Sequence, residues 1–218
     1  MKKKTFHLLL ILILAAACTK KPEKNGVTYY PSPDFYTMHS TPTLTLLEHF
    51  KTFQQTTDVT CGPSCALMVL DHFGKRNGYD EMSLKALRGT DQDTTYLKHL
   101  VTIFDAIGGF NNVSTYDFAD PKEISEHIFL DYLKMGIPVI IGTNEWGGHW
   151  QVVIGYDTMG TKTTKDDVLI IADPYDRTDH NQDGYSICSF QKLYHGSWEN
   201  QYDPDYDWGL FIAVWPKE

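Results

Sequence analysis

Cys61 stands where the chain changes character. Before it, Gln55–Thr60 is polar and turn-prone; after it, Cys65, Met68, Val69 and Phe73 recur at helical spacing. A thiol at that junction lies at or near a helix N-terminus, where unpaired backbone N–H groups and the helix dipole favour the nucleophilic thiolate. Gly62 leaves room beside the sulfur for a carbonyl to approach, and Pro63 fits a first helical turn. Gln55, six residues upstream, brings a neutral side-chain N–H that joins the Cys61 N–H as a candidate oxyanion donor. The competing reading of Cys61 and Cys65 is a pair of small core residues on one helix face.

A cysteine nucleophile needs a base, and the base needs a group to orient it. Among nine histidines His149 is distinctive, because it follows Gly147 and Gly148 and opens the run WQVVIGYD. His72, His99 and His127 fall in helical stretches and read as ordinary helix residues. Asp173 ends the run VLIIA and precedes Pro174, which biases it towards extended geometry at a strand end. If the two strands are neighbours, its carboxylate can accept from the His149 ring and fix the tautomer. Trp146, Trp150 and Tyr156 flank the histidine as cleft or core residues, and Gly62, Gly148 and Trp150 are the candidates for contact with substrate.

The elements that must hold these residues change type midway. Helical patterns run from Cys61 to about Phe73, stopped by Gly74, and from Ser83 to Leu87, stopped by Gly89. A third helix carries Leu97, Leu100, Val101, Phe104 and Ile107, with Asp91–Thr95 as capping candidates. Val113–Phe118 reads as a short strand. Asp120, Pro121 and Glu123 start a further helix that buries Ile124, Ile128, Tyr132 and Leu133 and ends at Gly136. Beyond it the β-branched and aromatic runs Ile137–Gly142, His149–Tyr156, Val168–Ala172 and Leu210–Trp215 predict strands. The expected class is α+β: N-terminal helices packed on a C-terminal, largely antiparallel sheet, over residues 43–218.

In this order, glutamine, Cys-Gly-Pro, Gly-His before a β-run and Asp-Pro-Tyr after one, the chain resembles the papain-like superfamily. Within it the nearest likeness is to the bacteriocin-processing (double-glycine leader) cysteine peptidases and their stand-alone relatives. The resemblance spans Gln55 to Trp215 and implies a papain-like fold acting on a peptide or protein. Carried over by position, it makes Gln55 the oxyanion donor, Cys61 the nucleophile, His149 the general base and acid, and Asp173 the orienting residue. No cofactor is called for. Relatives of this fold keep two other readings open: a γ-glutamyl-peptide transpeptidase like the phytochelatin synthases, and a non-catalytic binding lipoprotein.

The best-known relatives are cytoplasmic domains of ABC exporters, whereas this chain opens with an export-type segment. Lys2–Lys4 form a basic region, Leu8–Leu14 an apolar one too short to span a bilayer, and Ala15–Ala17 lead into Cys18. That pattern resembles the lipobox of bacterial lipoproteins. The likeness implies a signal peptide over 1–17, acylation of Cys18, a tether over 18–42 and anchoring to the bacterial cell envelope, periplasmic or outer. The composition is globular, 42% hydrophobic, with a formal charge of −9 that argues against nucleic acid or anionic phospholipid as the main partner. Cys61, Cys65 and Cys188 remain besides Cys18, an odd number that leaves a thiol free; Cys65–Cys188 is the disulfide compatible with a free Cys61. Asp179, Asn181 and Asp183 alternate as at the start of an EF-hand loop, but Phe190 stands at the twelfth position, so a polar turn is favoured over calcium. The aromatic and acidic run Trp198–Trp208 reads as a loop packed by its own rings in preference to a ligand surface.

Overall fold

The computed structural model describes residues 34–120, 123–177, 181–198, 203–206 and 209–218, with the backbone of two short strands, β1 (Glu23–Lys24) and β2 (Val27–Thr28). The leader segment, Cys18, most of the tether, Pro121, Asp179, Tyr202, Asp207 and Trp208 lie outside the described residues. The chain divides into two compact units, residues 1–34 and 35–218. In the first, β1 and β2 pair antiparallel, with Glu23 opposite Thr28.

The second unit contains β3 (Leu44–Leu46), α1 (Cys61–His72), α2 (Glu81–Ala86), α3 (Leu97–Ile107), β4 (Phe110–Ser114), α4 (Ile128–Lys134) and β5 (Val139–Thr143). There follow β6 (His149–Asp157), β7 (Val168–Ala172), β8 (Tyr185–Ser189), α5 (Phe190–Lys192), which runs on into a wide turn at Leu193–Ser197, and β9 (Phe211–Pro216). Seven strands form one sheet in the order β4-β9-β5-β6-β7-β8, with β3 beside β6. Every pairing in it is antiparallel. This is the expected α+β class, with most of the helices before most of the sheet but β3 ahead of α1 and β4 between α3 and α4.

α1 is buried from Cys61 through Leu70, so it is a central helix and not a surface helix with one apolar face. Gly74, at φ 63, ends it in the left-handed conformation that glycine adopts without strain. The sulfur of Cys65 donates to the carbonyl of Trp150 at 3.2 Å, tying α1 to β6. Cys188 lies on β8 opposite Leu169, and both thiols are free. The proposed Cys65–Cys188 bridge is therefore absent: one thiol faces β6 from the helix layer, and the other belongs to the far strand of the sheet.

Three local expectations change. Asp91–Thr95 do not cap α3; its N-cap is Tyr96, and the backbone N–H of Leu97 donates to Asp203 Oδ2 at 3.1 Å, from a residue distant in sequence. The helix expected from Asp120 starts only at Ile128, because Asp120 O accepts from Glu123 N in a tight turn; Ile124 is still buried. The strand expected at Val113–Phe118 runs earlier, over Phe110–Ser114, where it pairs with β9. Strands β3 and β8 had no sequence signal strong enough to announce them. The described part of the aromatic and acidic run is structural: Trp198 is fully buried against Phe129 and Tyr194, and its indole donates to Leu210 O at 2.8 Å.

Candidate active site

Cys61 is the first residue of α1, preceded by Thr60, and no acidic side chain stands in the helix's first turn to oppose a thiolate. The loop before it is fixed by Glu81, the first residue of α2, whose buried carboxylate accepts from Thr56 N at 2.8 Å and Ser64 Oγ at 3.2 Å. The helix start and the residues leading to it thus share one anchor. Gly62 is buried, and a Cβ there would come within 2.6 Å of Thr95 Cγ2. Its smallness is used for packing against Thr95, and the expected role of clearing space for a substrate carbonyl is not what the geometry requires.

β6 pairs directly with β7, Val152 opposite Ala172, which brings the first residue of one strand beside the residue that follows the other. His149 Nε2 and Asp173 Oδ1 are 2.7 Å apart, with the two side chains 4% and 1% exposed. The Cys61 thiol lies near enough to the imidazole to favour its charged form. Since Nε2 is taken by the carboxylate, Nδ1 is the nitrogen left for the thiol. Burial holds His149 towards its neutral form, yet the hydrogen bond with Asp173 and the nearby Cys61 outweigh it and raise the pKa to about 9. Burial likewise acts to raise the Asp173 pKa, and the His149 hydrogen bond and charge, with donors from Tyr175 N and Gln151, reverse that and lower it. An ionised carboxylate can only accept, so Nε2 carries the proton in this pair.

Gln55 enters the same neighbourhood through its backbone, whose N–H donates to Pro174 O at 2.8 Å. Its side-chain Nε2 donates to Thr57 O at 2.8 Å, and Oε1 is buried with no hydrogen-bond partner in the protein. One amide N–H of Gln55 remains for another acceptor. A cleft of about 120 Å³ opens over the site, lined by Cys61, His149, Gly147, Gly148, Trp150, Asp58, Val59 and the Thr94–Tyr96 segment. Gly148 and Trp150 are among the residues that line this cleft. Trp150 is also held from behind, its indole donating to Thr95 O at 2.7 Å. Tyr156, the other aromatic considered for the cleft, is fully buried and donates to Asp167 Oδ2 instead.

Two participants escaped the reading of the sequence. Tyr175 lies 6.3 Å from the His149 ring, beneath the Arg177 guanidinium at 4.4 Å and edge-on to Trp146 at 6.0 Å. Trp146 is 66% exposed and holds a φ of 55, on a turn completed by Gly147 and Gly148 at φ 86 and 121. Gln151 donates to Asp173 Oδ2 at 2.7 Å. Its position two residues after His149 on a strand was the available signal, since alternate strand residues share a face. At the polar turn, Asp183 Oδ1 accepts from Tyr185 N and its carbonyl from Thr52 Oγ1. Among the described residues no group of three or more His, Cys, Asp or Glu side chains could hold a metal ion. Asp179, the first calcium candidate, lies outside the described residues.

Among solved structures, the peptidase domain of Streptococcus ComA, a bifunctional ABC transporter involved in a quorum-sensing pathway, matches with a TM-score of 0.53. The match has 22% identity and covers 78% of this chain and 100% of that one, a likeness of fold. A double glycine motif protease from an AMS/PCAT transporter, solved with its leader peptide, matches at TM-score 0.47 and 15% identity, over 77% of this chain and 91% of that one. No curated protein matches the sequence. A profile of the Peptidase_C39 like family matches residues 47–205, which include all four positions Gln55, Cys61, His149 and Asp173. With that profile spanning most of its length, and the fold shared with the ComA peptidase domain, the chain belongs to the Peptidase_C39 like family, in the papain-like superfamily.

Proposed function

We propose that the protein is a lipid-anchored, extracytoplasmic cysteine peptidase that hydrolyses a peptide amide bond through Cys61, His149 and Asp173. The observation that carries this reading is a single buried imidazole with the Asp173 carboxylate on one nitrogen, sharing a cleft with Cys61 at the head of a helix. The ring takes the thiol proton, and the Cys61 thiolate attacks the amide carbonyl. The Cys61 backbone N–H and the remaining amide N–H of Gln55 stabilise the oxyanion of the tetrahedral intermediate. The imidazolium passes its Nδ1 proton to the leaving amine, so the C–N bond breaks and a thioester remains on Cys61. His149 then deprotonates a water, which attacks the thioester and releases the acid and the thiol. Throughout, Asp173 holds Nε2–H and so the tautomer that leaves Nδ1 for the sulfur.

Intact mass spectrometry after treatment with an irreversible cysteine-peptidase inhibitor tests the nucleophile. One adduct on the wild type, absent from Cys61→Ala, is the expected result. An adduct that persists in the variant removes Cys61 from the role. The anchor rests on the leader pattern and Cys18.

A further inference from the structure

Gln151 follows His149 by two residues on β6, so the pleat turns both side chains to one face. The two meet the same carboxylate from different sides. Asp173 Oδ1 accepts from Tyr175 N at 2.7 Å besides the His149 ring, while Oδ2 accepts from Gln151 Nε2, also at 2.7 Å. Gln151 is only 4% exposed, and its Nε2 lies 3.4 Å from Glu145 Oε2, on the turn that leads into His149. Gln151 also lines a cavity of about 310 Å³ with Cys188 and Lys192.

A carboxylate held through one oxygen alone can turn about its Cβ–Cγ bond and offer the ring either oxygen, or a poorer angle to the same one. A donor fixed on the second oxygen removes that freedom. A hydrocarbon in its place would leave Oδ2 buried and unpaired, a costly state for a charged acceptor. We propose that Gln151 is a positioning residue for the reaction: by locking Asp173 in place it keeps His149 Nε2 engaged and Nδ1 turned towards the Cys61 sulfur. The inference rests on the Cys61–His149 reading given above. Glu145 from the preceding turn, His149 on the same strand, Cys188 and Lys192 across the cavity, and Cys61 beyond the ring are the ionisable groups around this contact.

The test compares wild type with Gln151→Met, which is close in size and has no donor. Alkylation of Cys61 by iodoacetamide, followed by intact mass, reports the thiolate without any substrate. At pH 6 the variant should react roughly tenfold more slowly, since a misaligned His149 takes the thiol proton less readily. At about pH 10 the two should agree within about twofold, because an ordinary thiol is ionised there without help. The downfield proton resonance of His149 Nε2–H should broaden or vanish in the variant. Unchanged rates at both pH values with the resonance intact overturn the proposal. So does an equal loss at both, which is what a general structural defect gives. If the Met variant fails to fold by circular dichroism, Gln151→Asn, one methylene short of Asp173, replaces it in the same comparison. Failure of the underlying reading has a different signature: wild type itself then reacts at pH 6 no faster than a simple thiol. In that case the resonance alone decides whether Gln151 holds the pair.

Discussion

At the scale of single residues, the site is a chain of donors and acceptors that ends on the buried Asp173 carboxylate. His149 is useful as a proton donor to a leaving amine only while it is an imidazolium, so turnover should fall as pH rises through about 9. Asp173→Asn keeps an acceptor for Nε2 and removes the charge that favours the imidazolium. That alkaline limb should then move down towards the ordinary histidine range near about 6.5, which a pH profile of the turnover rate would measure. The same pair contributes to stability with a definite sign. Because folding raises the His149 pKa, its contribution is full below about pH 6.5, the unfolded value, and is lost as pH rises through about 9. Asp173, lowered by folding, contributes above its unfolded value of about 3.9 and loses that as pH falls further. Denaturant melts of His149→Ala should accordingly approach those of wild type at high pH. Cys61, His149 and Asp173 were legible in the sequence because each sits at the edge of a patterned run. Gln151 was not singled out, since a glutamine in an apolar strand carries no chemistry until its partner across the sheet is known.

At the scale of elements, the start of α3 is held by a partner far away in sequence, whereas α2 is capped locally by Asp80. Asp203 accepts from the N–H of Leu97, and the neighbouring Asp205 from the Tyr116 hydroxyl at 3.1 Å. Asp203→Ala should cost about 1 kcal/mol of unfolding free energy, the usual worth of an N-terminal acceptor, read as a lower urea midpoint with Cys61 alkylation unchanged. Such long-range caps explain why the local capping candidates Asp91–Thr95 misled: the pattern marks where a helix is possible, and the tail of the chain decides where its first N–H is paired. Gly148 belongs to this scale too. At φ 121 a Cβ would be strained, so Gly148→Ala should destabilise the turn by about 1–3 kcal/mol and reduce the Cys61 alkylation rate by shifting His149. The strands with apolar runs were legible to within a residue or two; β3 and β8 were not, being short and edge-like, with polar residues interleaved.

At the scale of the whole molecule, the predominance of helices before Gly136 and of strands after it was legible in the change of hydrophobic periodicity, while the sheet strands β3 and β4 lie ahead of that point. The sheet order was not, since β9 inserts between β4 and β5 and no local signal announces a strand's neighbours. The proposed anchor belongs here as well. Cys18→Ser should leave the protein in the aqueous phase of a detergent partition, while wild type enters the detergent phase and shows the added mass of acyl chains. One structural feature has a consequence for what such an anchored protein can act on. Trp150 is held by Cys65 of α1 through its carbonyl and by Thr95 through its indole, so the two walls of the cleft are joined by buried bonds. Widening the slot would break both, so its width is set before anything arrives. Under the proposed peptidase reading, a cleft of about 120 Å³ would take an extended backbone and not a helix about 10 Å across. For the proposed activity, discrimination would then fall on the conformation of the target: a linker or tail already unravelled would be offered for cutting, and the folded body beside it spared.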